Sequence, residues 1–488
     1  MASLDEALQD LYAHLRAGRP DIAIAGAWQL FEAAPSNQRL KLLLLELLKE
    51  DSELAAPDSA LALQSLLNDP TIDPREVAPS AWAIVRKEAA PILKLSPEAT
   101  ARWLEADDSA QNLLRQTYVA DLEIEIALTA MRRWLLLSGR WPEFPRTTEA
   151  LVEQAACNGG TWLFDREERD CLEDCPSAGI VEAFRPRRPS PRGTVDFAEP
   201  TTNAVAEQYE AWPYPQWTRV TQLLPTTIAA TVKKYDPDGP DTIPARPNVL
   251  VAGCGTGYDT ASLAFKYPDA QITAIDISRT SLDYAREHGS AAGLNGIEFR
   301  LLPIERVAEL GQTFDAVFCF GVLHHLPDPE AGWTAMSGVL KPGGVMCLMV
   351  YSKIARLLVQ SWRKSITDLL DHPVSDDLLR EVRKRLIEMG RAPTWRDFFT
   401  IGGVHDLLLH RHEDPFDVAR IRRNLERLGL GLLRFELPSA SEKASYKREN
   451  PQDPLFRDYS LWARRELRQS LLFAGMYRFW CRKPVTDT

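Results

Sequence analysis

Five short apolar runs that alternate with helical stretches after Pro247 constrain the fold of this 488-residue chain more than any other feature. The runs are rich in β-branched and aromatic residues, as strands are, and the stretches between them have a helical period. Strands that alternate with helices form a parallel sheet with helices on both faces. Two later runs would complete that sheet. The predicted strands are NVLVAG, QITAID, IEFRLL, FDAVFCF, VMCLMVY, GLLRFEL and MYRFWCRK.

The first part of the chain has a purely helical pattern. From Leu4 to about Trp141 the apolar residues recur at helical spacing, and proline-containing breaks such as Asp69-Pro70 separate the segments. This pattern predicts an all-helical region of seven to nine helices. A solenoid of tetratricopeptide type would show a period near 34 residues, and no such self-similarity is evident, so an irregular bundle is favoured.

Composition and charge exclude several classes of protein. The chain is 45% apolar and 26% charged, as expected for a globular protein, and its net charge of −11 disfavours nucleic acid as a partner. Seven cysteines without regular spacing indicate a reducing compartment rather than a disulfide framework. The acidic start is unlike a signal peptide, and charges interrupt every long apolar run. We therefore expect a cytoplasmic protein without a membrane-spanning segment.

The strongest chemical signal is the glycine-rich turn Gly-Cys-Gly-Thr-Gly at residues 253–257, directly after the first of the later strands. Alternate glycines allow a tight turn and let a ligand approach bare backbone amides at the positive end of the next helix. Nineteen residues beyond Gly257 the next strand ends in Asp276, whose carboxylate can accept both hydroxyl hydrogens of a ribose. The two features together predict a nucleotide-like cofactor.

The motif order resembles that of class I S-adenosylmethionine-dependent methyltransferases. The matching segments are NVLVAGCGTG, AIDIS, FDAVFCFGVLHHLPDP and LKPGG, which cover about residues 247–350. The aromatic run at residues 209–217 and the ending FAGMYRFWCRKP are similar to a bacterial subgroup with a helical, often tetratricopeptide-bearing, N-terminal region. The resemblance implies an α/β fold with a Rossmann-like seven-stranded sheet, preceded by an all-helical domain.

The resemblance also implies where S-adenosylmethionine binds. The turn glycines would hold the methionine moiety, Asp276 the ribose, and the residues after the fourth strand would approach the sulfonium. Pro303 stands where many relatives have an adenine-binding Asp, so adenine recognition would pass to Glu305 or to backbone groups such as the Leu302 carbonyl. The expected cofactor-binding residues are Gly253, Cys254, Gly255, Thr256, Gly257, Asp276, Ile277, Ile304, Glu305, Gly321, Val322 and Tyr209.

Histidines are the candidates for proton removal from a methyl acceptor. His324 and His325 follow the fourth strand, where they would face the acceptor or merely cap the next helix. His405 and His410 lie five residues apart in a helical insertion, which would be a substrate-facing lid or a surface helix end. On a helix, a separation of five residues would point the two side chains in different directions, so they could not easily bind one metal ion, and no metal site is expected.

The proline-rich aromatic run at residues 209–217 is predicted to be an extended arm. It would either close over the cofactor, with Tyr209 and Trp212 or Tyr214 in contact, or form an apolar strap that joins two domains. The expected catalytic residues are His324, His325, Tyr214, His405 and His410. A zinc site at Cys157, Cys171 and Cys175 would lack a fourth ligand, so free thiols are favoured there.

The predicted domains are a helical domain (residues 1–178), a linker with the aromatic arm (179–246) and a methyltransferase domain (247–488) with a helical insertion at about 352–428. The arginines between residues 185 and 192 belong to a solvated linker or contact an anionic partner. Roughly two hundred helical residues favour a protein or peptide acceptor over a small molecule. A non-catalytic cofactor-binding scaffold is the remaining alternative. The sequence leaves the oligomeric state open.

Overall fold

The computed structural model describes residues 4–50, 60–173, 200–370, 372–437 and 439–485. The chain divides into two compact units, and each is assembled from two separate stretches of sequence. The first unit comprises Met1–Arg188 and Trp362–Leu409, and the second comprises Pro189–Ser361 and His410–Thr488. Most of the expected helical insertion, residues 362–409, therefore belongs to the same unit as the N-terminal helices, which differs from the domain boundaries expected from the sequence.

The first unit is helical throughout its described residues. Two of its described helices begin where an Asp or Ser side chain caps the first turn and proline follows, at Asp73-Pro74 and Ser96-Pro97. Eight helices lie between Leu4 and Leu137 in the described part of the chain, within the predicted range. The helices of this unit are Leu4–Arg16, Pro20–Ala33, Gln38–Glu50, Ala60–Asn68, Pro74–Leu93, Pro97–Ala106, Asp108–Gln116, Leu122–Leu137, Pro145–Asn158, Arg166–Glu173, Asp376–Glu388 and Ile401–Leu408.

A buried ion pair joins the insertion to the N-terminal helices of this unit. Arg383 is fully buried, and both of its terminal nitrogens donate to the Glu125 carboxylate, at 2.8 and 2.9 Å. The same guanidinium donates to the carbonyls of Phe398 and Thr161, at 2.8 and 3.0 Å. Four of the five N–H donors of the guanidinium are thus used, and a bidentate pair with further hydrogen bonds is the geometry in which a buried charge is tolerated.

The thiols of Cys157 and Cys171 each donate to a backbone carbonyl of the same unit, Arg115 and Leu136 respectively. Both cysteines are free. Cys175 and the arginines at 185–192 lie outside the described residues.

The second unit contains a seven-stranded sheet in the order β3-β2-β1-β4-β5-β7-β6. Strand β7 runs antiparallel to both β5 and β6, and the other pairs are parallel. All seven predicted strands are present, so the predicted fold class is confirmed. The strands are β1 Asn248–Ala252, β2 Gln271–Asp276, β3 Glu298–Leu301, β4 Phe314–Phe320, β5 Leu340–Val350, β6 Gly431–Glu436 and β7 Tyr477–Arg482.

Alternate residues of the strands enter two separate cores. Val249 and Val251 of β1 belong to the core on one face, and Leu250 and Ala252 belong to the core on the other. Helices cover both faces, as the parallel sheet requires. The helices of this unit are Pro200–Ala211, Ile228–Tyr235, Tyr258–Lys266, Arg279–Ala291, Pro329–Val339, Val418–Arg427, Ala440–Glu449 and Tyr459–Arg468, and the helix Arg356–Lys364 begins in it.

The order of the strands reverses between β1 and β4, because β2 and β3 lie on one side of β1 while β4 and β5 lie on the other. In open sheets of this kind, ligands bind beyond the carboxyl ends of the strands at such a reversal. Among the described residues, no helix combines the length and the apolarity that crossing a membrane requires.

Candidate active site

The glycine-rich turn after β1 is held by the end of β2. The backbone amides of Gly253 and Cys254 both donate to the Ile275 carbonyl, each at 2.9 Å. Gly253, Gly255 and Gly257 have φ angles of 72°, 52° and 82°, a region in which only glycine is free of strain. The turn therefore requires glycine for its backbone conformation, and the helix Tyr258–Lys266 follows at once.

Asp276, the last residue of β2, orders the adjoining backbone. Its Oδ2 accepts the Gly255 amide at 2.8 Å, and its Oδ1 accepts the Ser278 amide at 2.9 Å. Burial raises the pKa of this carboxyl, and the hydrogen bonds from the amides of Ser278 and Gly255 oppose that rise. A carboxylate has about four lone-pair sites and three backbone amides, those of Ser278, Gly255 and Ile277, contact this one, so acceptor capacity remains for a ligand hydroxyl.

The carboxyl end of β4 lies against the same turn. A β-carbon on Gly253 would stand 2.5 Å from a methyl group of Val322, so no other residue fits there without displacing that side chain. Gly321 has a φ of 75°, and its amide donates to the Met349 carbonyl of β5 at 3.0 Å. The turn, the end of β2 and the end of β4 thus meet at the strand-order reversal.

These residues fit the cofactor that the motif order implies. The glycines let Val322, Tyr214 and Ala285 approach the backbone of the turn closely, and the Asp276 carboxylate beside it retains acceptor capacity for a ribose hydroxyl. Ile277, half-buried, follows Asp276 directly. Bound S-adenosylmethionine supplies an electrophilic methyl group, and the protein's task is to orient the reactants and exclude water.

The segment around residues 208–217 contacts several parts of the site, although it is not the extended arm expected from the sequence. The helix Pro200–Ala211 includes Tyr209, and the Trp212 amide still donates to the Gln208 carbonyl at 2.8 Å. Pro213, which disfavours helical geometry in the residue before it, ends the helix there. The prediction of an extended run was therefore wrong for its first three residues.

Glu210, at the end of that helix, caps the helix that follows β2. Its carboxylate accepts the backbone amides of Arg279 and Thr280 and also the Thr280 hydroxyl. A carboxylate at a helix N-terminus is stabilised by the exposed amides and the helix dipole. Glu210 thereby fixes the start of the helix immediately beyond Asp276.

Trp217 holds the glycine-rich turn from outside. It is buried, its indole N–H donates to the Thr256 carbonyl at 2.9 Å, and its backbone carbonyl accepts the Tyr284 hydroxyl at 2.7 Å. The Thr256 hydroxyl in turn donates to the Pro215 carbonyl. The carbonyl of Tyr214 lies 3.1 Å from where a β-carbon on Gly255 would be. The segment therefore lies directly over the turn.

On the expected adenine side, β3 is followed by Pro303 and a short 3-10 helix, Ile304–Leu310. The side chain of Ile304 is buried in the core of the sheet, as is that of Cys254, so these two residues could reach a cofactor only through backbone atoms. Glu305 is half-buried, and the Leu302 amide donates to the Asp276 carbonyl at 2.9 Å.

Hydrogen bonds assign the tautomers of three buried histidines in the second unit. His324 accepts the Tyr351 amide on Nδ1 at 3.1 Å, so its neutral ring carries the proton on Nε2. His410 likewise accepts the His412 amide on Nδ1 at 3.2 Å. His325 differs, because its Nδ1 lies 2.8 Å from the His412 carbonyl and must donate. Of the three, only His325 keeps a lone pair on Nε2.

The three rings lie close together, and a tyrosine completes the group. The rings of His325 and His410 stack with centroids 3.5 Å apart, and His324 lies 4.2 Å from His325. The Tyr209 hydroxyl lies 3.3 Å from Nε2 of His410. The Nε2 of His324 is buried without a hydrogen-bond acceptor among the described residues. The structure thus brings His324, His325, His410 and Tyr209 together.

Burial keeps these histidines neutral. It lowers the pKa of His325 to about 3, and the nearby Arg356 contributes in the same direction. The pKa of His324 is lowered well below its usual value, again mainly by burial. Both side chains are at most 4% exposed. Near neutral pH each ring is therefore uncharged; His325 carries its lone pair on Nε2, and the lowered pKa makes it a weak base in these surroundings.

His405 and Tyr214, the other two expected catalytic residues, have different surroundings. His405 is buried on the helix Ile401–Leu408 of the first unit. That helix ends before His410, so the helical five-residue separation assumed from the sequence does not apply. Tyr214 is half-buried beside the glycine-rich turn.

Sequence reasoning missed Glu210, Trp217 and Gln208. The Gln208 side chain accepts the Arg411 amide at 3.1 Å, next to His410. All three lie in or beside the aromatic run, which was singled out, but their partners are far away in sequence and no local pattern indicates them.

The part of the chain that forms this site is similar in sequence to known methyltransferases. Residues 249–344 match a family model described as a methyltransferase domain. An uncharacterized protein of Synechococcus sp. is 35% identical over an alignment of 206 residues, which covers 39% of this chain and 48% of that protein. The ubiquinone biosynthesis O-methyltransferase of Chromobacterium violaceum is 41% identical over 97 residues, 20% of this chain and 40% of that protein. The chain thus spans half or less of these relatives.

Among solved structures, PKMT2 from Rickettsia typhi in complex with AdoHcy is similar, with a TM-score of 0.41 and 17% identity over 57% of this chain and 55% of that chain. The family match runs from β1 into the start of β5 and includes the glycine-rich turn, Asp276 and the end of β4. The second unit of this chain therefore carries a methyltransferase domain of the class I, S-adenosylmethionine-dependent kind.

Proposed function

We propose that the whole chain is an S-adenosylmethionine-dependent methyltransferase that acts on a protein or peptide. The observation that carries methyl transfer is the meeting of the glycine-rich turn, the Asp276 carboxylate and the end of β4 at the strand-order reversal. The turn and Asp276 would hold the methionine and ribose parts of the cofactor, as the family resemblance implies. Gly321 and Val322 would lie nearest the sulfonium.

His325 is the proposed proton acceptor. It follows the end of β4 by a few residues, its Nδ1 is held by the His412 carbonyl, and its Nε2 lone pair is available. The lone pair is present at neutral pH, but the lowered pKa makes the buried ring a weak base, so proton transfer requires that the bound acceptor stabilise the imidazolium. His410, stacked on this ring, and Tyr209, beside His410, would hold its orientation, whereas His324 presents an N–H on Nε2 and suits hydrogen-bond donation.

A macromolecular acceptor is supported by the extent of the first unit. It comprises Met1–Arg188 and Trp362–Leu409, far more chain than the enclosure of a small acceptor requires. A small-molecule acceptor is the second candidate, since the ubiquinone biosynthesis O-methyltransferases match the cofactor-binding part of the chain. A non-catalytic scaffold that binds the cofactor is the third candidate, motivated by Pro303 in place of the usual acidic residue.

The test is incubation of the full chain with labelled S-adenosylmethionine and dialysed lysate of the source organism. Protease-sensitive label in the acid precipitate supports a protein acceptor. Label only in the soluble fraction, restored by the dialysate, indicates a small molecule. Absence of turnover beyond one equivalent of S-adenosylhomocysteine in every fraction, with cofactor binding intact, supports the scaffold and contradicts the proposal.

Variants of single residues separate binding from turnover. Asp276→Asn should lose label because the cofactor binds weakly, and His325→Gln should lose label while the cofactor still binds. The matched control is His372→Gln, since His372 is an exposed histidine of the first unit. Normal turnover by His325→Gln would remove His325 as the proton acceptor.

A further inference from the structure

The first unit contains a cavity whose polar lining presents hydrogen-bond donors. Its walls lie on the helices Leu122–Leu137, Pro145–Asn158 and Asp376–Glu388 and on the loop after the second of these, all within the first unit. Its volume is about 300 Å³, which includes the opening to solvent. The lining residues are Arg132, Leu151, Ala155, Asn158, Gly160, Trp162, Phe164 and Arg380, so no acidic side chain lines it among the described residues.

Two arginines of the cavity are held rigidly. Arg380 is 5% exposed, its Nε donates to the Gly160 carbonyl at 2.7 Å and its Nη1 to Asp377 at 3.1 Å. Arg132 is 3% exposed and pairs with Glu168 at 3.0 Å. Such guanidinium groups are preorganised, so a ligand that binds them does not have to order a flexible side chain.

Several donors of the lining have no acceptor among the described residues. The indole N–H of Trp162, a residue that is 4% exposed, is buried and unpaired. Nη2 of Arg380 and Nδ2 of Asn158 form no hydrogen bond in the described part of the chain, although Asn158 Oδ1 accepts the amides of Gly160 and Thr161. A buried donor without an acceptor, such as the Trp162 N–H, costs about 1–3 kcal/mol, and the two other nitrogens add donors beside it, so the arrangement calls for a ligand that accepts hydrogen bonds.

We propose that this cavity binds a carboxylate. A carboxylate carries up to four lone pairs and a negative charge, and it matches a guanidinium with neighbouring N–H donors. Leu151, Ala155 and Phe164 would contact a short aliphatic stem. The carboxylate belongs either to a small free acid or to an acidic side chain of a peptide.

Asp377 does not saturate Arg380. Asp377 is half-exposed and also pairs with Arg169, whose Nη1 lies 2.8 Å from its Oδ2, so the carboxylate is shared between two guanidinium groups. Arg380 keeps Nη2, which stands 3.1 Å from where a β-carbon on Gly160 would be. Glycine at 160 therefore leaves open the space next to this nitrogen.

The experiment uses the full chain with its tryptophan indoles labelled with ¹⁵N, which gives 13 indole signals. The Trp162 signal is assigned by its loss in Trp162→Phe. Acetate, acetamide and the N-acetylated amide of glutamate are titrated at constant ionic strength. Acetate should shift the Trp162 signal saturably, and acetamide, which has the same shape without the charge, should bind at least tenfold more weakly.

Arg380→Met should lower the acetate affinity at least tenfold, while Arg385→Met, on the same helix but paired with Asp368 at the surface, should not.

Trp162→Phe gives a second test, because Arg380→Met also removes the hydrogen bond to the Gly160 carbonyl. In Trp162→Phe, acetate should raise the melting temperature less than it does in the wild type. Binding of the glutamate derivative as tight as that of acetate identifies a peptide carboxylate, and binding of acetate alone identifies a free acid. Absence of a saturable shift, or a shift unchanged in Arg380→Met, would overturn the proposal and leave water as the occupant.

Discussion

The side chain of Val322, just beyond β4, fills the space that a β-carbon on Gly253 would need. Val322 and Gly253 are 69 residues apart in sequence, yet they pack closely because a methyl group of Val322 occupies the space that the missing side chain of Gly253 leaves. The φ of 72° at Gly253 adds a backbone requirement to this steric one.

Gly253→Ala should therefore weaken both the fold and cofactor binding. A left-handed backbone at a non-glycine residue costs about 1–3 kcal/mol, and the contact with Val322 adds to that cost. We expect a lower free energy of unfolding in denaturant titration and weaker binding of S-adenosylmethionine by calorimetry. The control is Gly338→Ala, in the helix Pro329–Val339, where a β-carbon meets nothing within 4 Å. An equal free energy of unfolding and an equal affinity for S-adenosylmethionine in the two variants would contradict the role assigned to Gly253.

Asp276→Asn should lower cofactor affinity by about 10- to 150-fold, which corresponds to the 1.5–3 kcal/mol of a hydrogen bond to a charged group. The amide turns one acceptor oxygen into a donor, which then faces the backbone N–H of Gly255 or Ser278. Calorimetry with S-adenosylmethionine and S-adenosylhomocysteine measures the change, and the exposed Asp269→Asn serves as control. An affinity equal to that of the control would remove Asp276 from the cofactor site.

The buried histidines should make the protein less stable in mild acid. The pKa of His325 is about 3 in the folded state and about 6.5 when unfolded, so between these values the unfolded chain binds more protons. Stability is therefore complete above about pH 6.5 and falls as the pH is lowered towards 3. Between pH 7 and pH 5 the loss from this residue is about 2 kcal/mol.

Denaturant unfolding at several pH values tests this expectation. His325→Gln should flatten the dependence over that range, whereas His372→Gln, an exposed position, should leave it unchanged. His324, whose pKa is also lowered by burial, should contribute in the same direction. An identical pH dependence in wild type and His325→Gln would show that the ring is not held in a neutral, buried state.

Glu125→Gln should destabilise the first unit by about 3–5 kcal/mol, since it leaves the fully buried Arg383 without its carboxylate. Hydrogen exchange should rise in the helices Asp376–Glu388 and Ile401–Leu408. Glu123→Gln, at an exposed position of the same helix, is the matched control. Equal exchange in both variants would mean that the ion pair does not hold the insertion.

Local patterns in the sequence were enough to predict the sheet and the glycine-rich turn. Each strand is a short apolar run whose alternate residues enter opposite cores, and the turn conformation is specified by its own glycines. Asp276 could be assigned to the cofactor site because it ends β2, and β2 lies beside β1, the strand that leads into the turn. These features depend on residues that are adjacent in sequence or one strand apart.

Contacts between distant residues could not be predicted in this way. Arg383 and Glu125 are 258 positions apart, and the charge pattern of either helix contains no sign of its partner. His325 and His410 were each candidates, but the stacking of their rings depends on the chain returning to the sheet after Leu409. The end of the helix at Leu408 also separates His410 from His405, a break that the apolar period does not indicate.

Because the first unit is built from two separate stretches of chain, the N-terminal helices cannot be removed without affecting the rest of that unit. A fragment that begins at Pro200 would keep the segment Trp362–Leu409 but lose Glu125 and the other N-terminal helices of that unit. Phe399 would then lose its stacking partner Tyr118, and the buried Arg383 would lose its carboxylate, which would favour aggregation. No single truncation of the chain separates the two units. A variant without the N-terminal helices should therefore fold well only if residues 362–409 are deleted as well.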